Sequence, residues 1–207
     1  MTTRKNGWLS AVIGGFCVCT TLVTCGNGFF SVSDPLGSGN LDAGIGVSAA
    51  KTYTHAYNIR GTNVAINGVT FIGVENFTGV DGAFGMAGWN SISSGGNTIG
   101  AGSGLDSLLS SFNYNGAENT LTLSNLVAGQ TYVLTFYNKA WSSPNYDRIL
   151  AVTSGEGASI TFDECRGGEP NANLLRYTFA ATNSTEWVKF RVASQGTMHF
   201  YGFSTEQ

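Results

Sequence analysis

The residues with the clearest binding chemistry lie together, in the stretch between positions 138 and 148. Two aromatic rings offer flat apolar faces, and three side chains offer planar polar groups. They are Trp141, Asn145, Tyr146, Asp147 and Arg148. Sugars need this mixture, because their C–H faces stack on rings while their hydroxyls pair with planar hydrogen-bonding groups. We therefore predict a carbohydrate-binding edge here, with Trp89 as a second wall.

A structural interpretation of the same residues stays open. Trp141 directly follows a segment with the pattern of a core strand, so its ring could instead plug one end of the fold. Arg148 could then stack on that ring or pair with Asp147.

Motifs for nucleophilic catalysis are absent from the sequence. It has no Gly-x-Ser-x-Gly, the motif that places a hydrolase serine on a tight turn. Cys165 could be imagined as the partner of His55 or His199, but both histidines fall in strand patterns beside tyrosines. We therefore interpret the histidines as structural and expect a protein that is not an enzyme.

Carboxylates give two further hypotheses. Asp163 and Glu164 with Glu169, or Asp147, could cleave a glycosidic bond if two carboxyl groups lie about 5–10 Å apart. Asp163 and Glu164 could instead bind a structural calcium ion, which prefers oxygen ligands. No other cofactor is expected.

The composition is typical of exported β-proteins. Charged residues make up only 11% of the 207 residues, whereas glycine occurs 29 times. The formal net charge is −3, and no basic stripe is present, which argues against nucleic acid as a partner. The protein is expected outside the cell or attached to its surface, with glycan or extracellular matrix as partner.

Residues 1–25 have the pattern of an export signal. Arg4 and Lys5 precede an uncharged apolar run from Trp8 to Val23. Cys25 follows Leu-Val-Thr, which resembles a bacterial lipoprotein box and would make it a lipidation site. Ordinary cleavage nearby and an uncleaved anchor are the alternatives. Loss of this segment would leave Cys165 as the single cysteine, without an intramolecular disulfide.

The segment Leu-Val-Ala-Gly-Gln-Thr-Tyr, residues 126–132, predicts the architecture. Gly129 permits a chain reversal, and Tyr132 can fill the core while its hydroxyl bonds back to the turn, as in the tyrosine corner of antiparallel sandwiches. Asn67-Gly68 between two apolar runs predicts a hairpin.

Period-two patterns predict about nine strands, and the spacing of four apolar residues predicts one short helix over residues 105–112 that caps an end of the sandwich. Residues 26–50 are expected to form an extended lead-in, and residues 79–104 a long loop or lid. The fold class is therefore all-β: a single antiparallel two-sheet sandwich over residues 51–207, jelly-roll-like, preceded by the signal and the lead-in.

A resemblance supports this class. The runs Tyr53-x-His55-Ala56-x-Asn58, Ile66-Asn67-Gly68-Val69-x-Phe71, Leu-x-Asn-Leu-x-x-Gly-Gln-Thr-Tyr-x-Leu-Thr-Phe-Tyr ending at Tyr137, and His199-Phe200-Tyr201-Gly202-Phe203-Ser204 resemble secreted β-sandwich modules of planctomycete and verrucomicrobial type. These modules are similar to galactose-binding-like jelly rolls. The resemblance covers residues 48–207 and concerns structural motifs.

The sequence leads to three function hypotheses. The first is an exported, non-catalytic module that binds carbohydrate or surface matrix through end loops. The second is a structural or adhesive subunit of the cell envelope, whose edge strands or lead-in pair with copies of itself. The third is a small glycoside hydrolase with a carboxylate pair.

Overall fold

The computed structural model describes residues 27–36, 41–75, 77–89, 91–94, 103–115, 117–139, 148–166, 171–194 and 196–207. Within these ranges the chain forms fifteen strands and two short α-helices. The strands before the second helix are β1 Gly28–Val32, β2 Tyr53–Ile59, β3 Val64–Ile66, β4 Val69–Val74, β5 Phe84–Ala87 and β6 Ser91–Ser94. Those after it are β7 Ser111–Asn115, β8 Glu118–Leu123, β9 Thr131–Lys139, β10 Ile149–Ser154, β11 Ser159–Asp163, β12 Ala172–Ala180, β13 Glu186–Val192, β14 Met198–Phe200 and β15 Gly202–Glu206. The helices are α1 Leu41–Gly44 and α2 Gly104–Leu108, and a single 3-10 turn spans Val80–Gly82.

Two sheets form the sandwich and confirm the all-β prediction. The larger has the order β1-β12-β9-β15-β2-β4-β3, and the smaller has the order β11-β10-β13-β8-β5. A three-stranded sheet, β14-β7-β6, lies beside them. Within the described ranges every pairing is antiparallel except that of β2 with β4. The number of strands is larger than the nine expected, because several strands have only three to five residues and give little periodic signal.

The tyrosine corner is confirmed. The Tyr132 hydroxyl accepts a hydrogen bond of 2.9 Å from the backbone N–H of Val127, and the Tyr132 ring is fully buried. Gly129 has a φ of +84°, as the reversal requires. The corner therefore fixes where β9 begins.

The Asn67-Gly68 hairpin is also confirmed. Asn67 and Gly68 have φ values of +48° and +81°, which are the positive values that a two-residue type I′ turn needs. They connect β3 to β4, whose register pairs Ile66 with Val69.

The larger sheet is buried on both faces along its central strands β9 and β15. Its inner face packs against the smaller sheet in the main core, where Phe136, Phe190 and Phe203 are buried. Its outer face carries Tyr137 and Leu174 and forms a second core with α2 and with Ile45, which follows α1. A mostly apolar strand such as β12 follows from this arrangement, since both of its faces are covered.

Three sequence predictions need correction. The helix is shorter than expected, because Phe112 belongs to β7, and α2 packs in the second core instead of capping an end. The predicted loop over residues 79–104 contains β5 and β6. The lead-in contains β1, which pairs with β12 over five residues. None of the helices in the described ranges has the length and apolar character needed to cross a bilayer.

Candidate functional site

Most of the predicted binding edge lies outside the described residues. This applies to Trp141, Asn145, Tyr146 and Asp147, and also to Glu169 and Cys25. The frame of the edge is described, however. Lys139 is the last residue of β9, and Arg148 immediately precedes β10, so residues 140–147 link the two sheets at this end of the sandwich.

Trp89 does not form a wall of a surface site. It is only 4% exposed, and its ring lies in the main core, 5.0 Å from Phe200 and 6.4 Å from Phe190 between centroids. Its indole N–H donates to the Thr120 carbonyl at 3.3 Å. Trp89 is buried because it lies between β5 and β6. These two strands were not predicted from the glycine-rich sequence.

Arg148 lies at the predicted edge, but its guanidinium is buried and partnered. Its Nη1 donates to the Thr197 carbonyl at 2.7 Å and to the Thr197 hydroxyl at 3.1 Å. Its Nε is buried without a hydrogen-bond partner among the described residues. The cation is therefore held against the turn that precedes β14.

A buried imidazole–carboxylate pair lies next to this arginine. His199 Nδ1 and Glu164 Oε1 are 2.8 Å apart, with the two side chains 2% and 0% exposed. The backbone N–H of His199 also donates to both carboxylate oxygens, at 3.1 and 3.3 Å. Glu164 itself is held by its backbone N–H, which donates to the Arg148 carbonyl at 3.1 Å. One histidine thus occupies both oxygens of the glutamate.

Two asparagines complete the cluster. Asn173 Nδ2 donates to the carbonyls of Glu164 at 3.2 Å and Arg166 at 2.9 Å. Asn138 faces Asn173 across the β9–β12 register. Both amide atoms of Asn138 and the Oδ1 of Asn173 are buried without a partner among the described residues. Such atoms are rare in folded proteins.

We call this cluster the polar end. Its members come from the ends of β9, β10, β11, β12 and β14 and from the turns beside them: Asn138, Lys139, Arg148, Glu164, Asn173, Thr197 and His199. Four lysine, arginine, aspartate or glutamate residues are buried in the part of the chain that the structure describes. Lys139, Arg148 and Glu164 belong to the polar end, and the fourth is Glu186. Burying a charged group costs free energy unless the group is paired. Three such groups beside residues 140–147 therefore make the polar end a candidate functional site.

Asp163 and Glu164, the predicted calcium ligands, both accept hydrogen bonds within the protein. Asp163 Oδ1 accepts from the backbone N–H of Cys165 at 2.9 Å, and Glu164 is bound to His199. In the part of the chain that the structure describes, no group of three or more His, Cys, Asp or Glu could hold a metal ion. Burial, followed by the charge of Glu164, raises the pKa of the Cys165 thiol to about 11. The thiol is therefore protonated at neutral pH, which makes it a poor nucleophile.

The Glu164–His199 pair was not predicted from the sequence. The expectation that the histidine lies beside aromatic rings is met, because its ring centroid is 4.9 Å from that of Phe112, edge to face. Its ion-pair partner lies 35 residues away and is joined to it only by the fold. Two isolated residues at such a separation carry no local motif.

Comparison with known proteins gives the fold and no family. No family model matches the chain, and its sequence matches no curated protein. Among solved structures, the chain is similar to the ANXUR2 extracellular domain of Arabidopsis thaliana, with a TM-score of 0.58, 10% identity and coverage of 74% of this chain and 48% of that one. It is also similar to Bacteroides uniformis beta-glucuronidase, with a TM-score of 0.56, 13% identity and coverage of 73% and 17%.

A third similar structure is that of the plant peptide RALF23 in complex with FER and LLG2, with a TM-score of 0.55, 12% identity and coverage of 74% of this chain and 48% of that one. The chain spans less than half the length of all three matched proteins. The matched part of each neighbour has a β-sandwich fold of galactose-binding-like type. At such low identity the similarity concerns architecture alone.

Proposed function

We propose that this chain is an exported β-sandwich module that binds carbohydrate or surface matrix at the polar end, through residues 140–147. The observation that carries the proposal is that a buried charged side chain lies at each attachment point of that segment, Lys139 at one and Arg148 at the other. A binding segment works best on a rigid base. Here the base is the ends of β9 and β10, and hydrogen bonds hold the β10 end at Arg148 to Glu164 and to Thr197.

Two further observations support the parts of this proposal. The segment contains the aromatic and planar polar side chains that sugar recognition needs, namely Trp141, Asn145, Tyr146 and Asp147. The fold is shared with an extracellular plant domain and with part of a beta-glucuronidase, which is compatible with export and with a glycan partner. Lipidation at Cys25, a structural calcium ion and an origin of planctomycete or verrucomicrobial type remain predictions.

A glycan array tests the proposal. We expect the protein to bind a subset of glycans, and Trp141→Ala and Tyr146→Ala to reduce that binding at least about tenfold, because each ring supplies a stacking face. Trp187→Ala is the matched control, since Trp187 is 39% exposed but belongs to β13 in the smaller sheet. Absence of binding to every glycan, or equal loss in the control, would contradict the proposal.

Self-association is a second candidate, and the edge of the larger sheet favours it. β1 is one of the two edge strands of this sheet, and Phe29 on it is 60% exposed. Beside it lies an open groove of about 460 Å³, lined by β1, β12 and Thr131. An exposed edge strand can pair with another copy. Light scattering at increasing concentration distinguishes the cases: growing particles that Phe29→Ser abolishes would favour an adhesive subunit over a glycan-binding one.

A further inference from the structure

The hydrogen bonds of the polar end have a fixed direction. The Glu164 carboxylate accepts a bifurcated hydrogen bond from the backbone N–H of His199 and faces His199 Nδ1, so Nδ1 carries a hydrogen. In the neutral imidazole, Nε2 is then an acceptor. Thr197 Oγ1 lies 3.3 Å from that Nε2. Arg148 Nη1 can only donate, and it lies 3.1 Å from the same Oγ1. The threonine hydroxyl therefore accepts from Arg148 and directs its own hydrogen to His199.

The hydrogen bonds thus connect the Thr197 hydroxyl to the His199 imidazole, and the imidazole to the Glu164 carboxylate. This order matches the general arrangement of an activated nucleophile, in which a base lies within hydrogen-bond reach and a third group orients that base. The burial follows the same order, since Glu164 and His199 are buried whereas Thr197 is half-exposed. A bond of 3.3 Å between nucleophile and base is common before a substrate binds.

The surroundings of Thr197 add a positive group at the attacking oxygen. Gly196 has a φ of +99°, and a Cβ at this position would lie 3.0 Å from Arg148 Nη1. The glycine thus permits the guanidinium to approach the turn closely. A cation fixed beside this oxygen can stabilise the negative charge that the oxygen gains as its proton moves to His199.

We propose that the polar end hydrolyses carboxylic esters, with Thr197 as nucleophile and His199 as general base and acid. The Thr197 oxygen bonds to the ester carbonyl carbon while its proton moves to His199 Nε2. The bond from that carbon to the alkoxy oxygen then breaks, and the alcohol leaves with the proton from Nε2. Water next attacks the acyl-threonine, gives a proton to Nε2, and releases the carboxylic acid as the threonine regains its proton. Glu164 and Arg148 act as positioning and charge-stabilising residues.

The class of natural substrate rests on the proposed function, because a bound glycan would supply an ester of a sugar hydroxyl. The activity itself does not depend on glycan binding. A small soluble ester, 4-nitrophenyl acetate, therefore tests the relay separately, and its result does not prejudge the glycan array.

The experiment compares hydrolysis of 4-nitrophenyl acetate by the whole chain and its variants. Thr197→Val removes the hydroxyl at almost constant shape, and we expect at least about a 100-fold loss of rate. Thr197→Ser keeps the hydroxyl and should remain active. Thr54→Val is the matched control, because Thr54 Oγ1 lies 2.9 Å from Nδ1 of the other buried histidine, His55, far from Arg148 along the chain. Its rate should equal that of the wild type.

Two further readouts separate catalysis from a structural role. Mass spectrometry of the acetylated protein should place the acetyl group on Thr197. Glu164→Gln should lower kcat at least about tenfold with KM unchanged, because the glutamine can still bond to the histidine but no longer enforces its tautomer. Hydrolysis at the buffer rate, a Thr197→Val variant as active as the wild type, or acetyl groups only at other residues would each overturn the proposal.

Discussion

Tyr132 shows how one hydroxyl can define a local structure. Its phenol O accepts the Val127 N–H, whose own side chain is exposed, so water can partly replace the bond. We expect Tyr132→Phe to lower the free energy of unfolding by about 1 kcal/mol in urea titrations. Tyr114→Phe is the control, because the Tyr114 side chain is only half-buried, in contact with the second core. Equal losses in the two variants would show that the corner bond adds nothing.

Glu186 gives a prediction about pH. Burial raises the pKa of this carboxyl, and its Oε1 accepts from the Tyr177 hydroxyl at 3.0 Å. The folded state therefore holds its proton more tightly than the unfolded state does. Stability contributed by the neutral form is fully present below the ordinary pKa of about 4.3 and is lost as pH rises through the raised value.

Glu186→Gln removes this pH dependence and keeps the acceptor oxygen. Melting temperatures measured between pH 4 and pH 8 should therefore fall less with rising pH in the variant than in the wild type, and the variant should be the more stable of the two at pH 8. Parallel curves over this range would mean that the carboxyl ionises equally in the folded and unfolded chains.

At the level of elements, the Asn67-Gly68 turn gives a matched pair of glycines. Gly68 has a φ of +81°, so Gly68→Ala forces an L-residue into the left-handed region and should cost about 1–2 kcal/mol in urea titrations. A Cβ at Gly85, in β5, would meet nothing within 4 Å, and its φ is not positive. Gly85→Ala should be neutral or slightly stabilising. A similar loss at both positions would mean that backbone strain is not the cause.

The elements that sequence could predict are those with strong local signals. The hairpin dipeptide and the tyrosine corner each depend on residues close in sequence, and long strands such as β9 and β12 show clear patterns. β5 and β6 were missed, because four-residue strands rich in Gly and Ser lack a periodic signal. The polar end was missed for a different reason. Its members meet only when five strands end at the same place, which no local pattern records.

At the scale of the whole molecule, the second core explains why helix α2 does not cap the sandwich. Leu105 and Leu108 are buried with Phe71 and Tyr137, on the outer face of the larger sheet. The spacing of apolar residues was correctly interpreted as helical over its first turn, but spacing cannot say which surface the helix covers. That choice depends on a sheet face formed by strands distant in sequence.

Whether β1 is part of the sandwich is also a question about the whole molecule. Phe29 and Phe30 are neighbours on this strand, but Phe29 is exposed whereas Phe30 stacks on Tyr177 with 4.6 Å between ring centroids. If β1 is part of the sandwich, Phe30→Ala should lower the free energy of unfolding by about 1.5 kcal/mol or more. Phe29→Ala should change it by less than about 0.5 kcal/mol, because it exposes no core.

A shortened chain makes the same comparison for the strand as a unit. A chain that begins at residue 33 lacks the five-residue pairing of β1 with β12 and leaves Tyr177 open to water on one side, whereas a chain that begins at residue 27 keeps both. The shorter chain should unfold at a lower urea concentration. It should also associate more readily, because β12 then becomes the free edge of the sheet. Identical unfolding of the two chains would restore the interpretation of this segment as a detached lead-in, and would place the sandwich boundary after it.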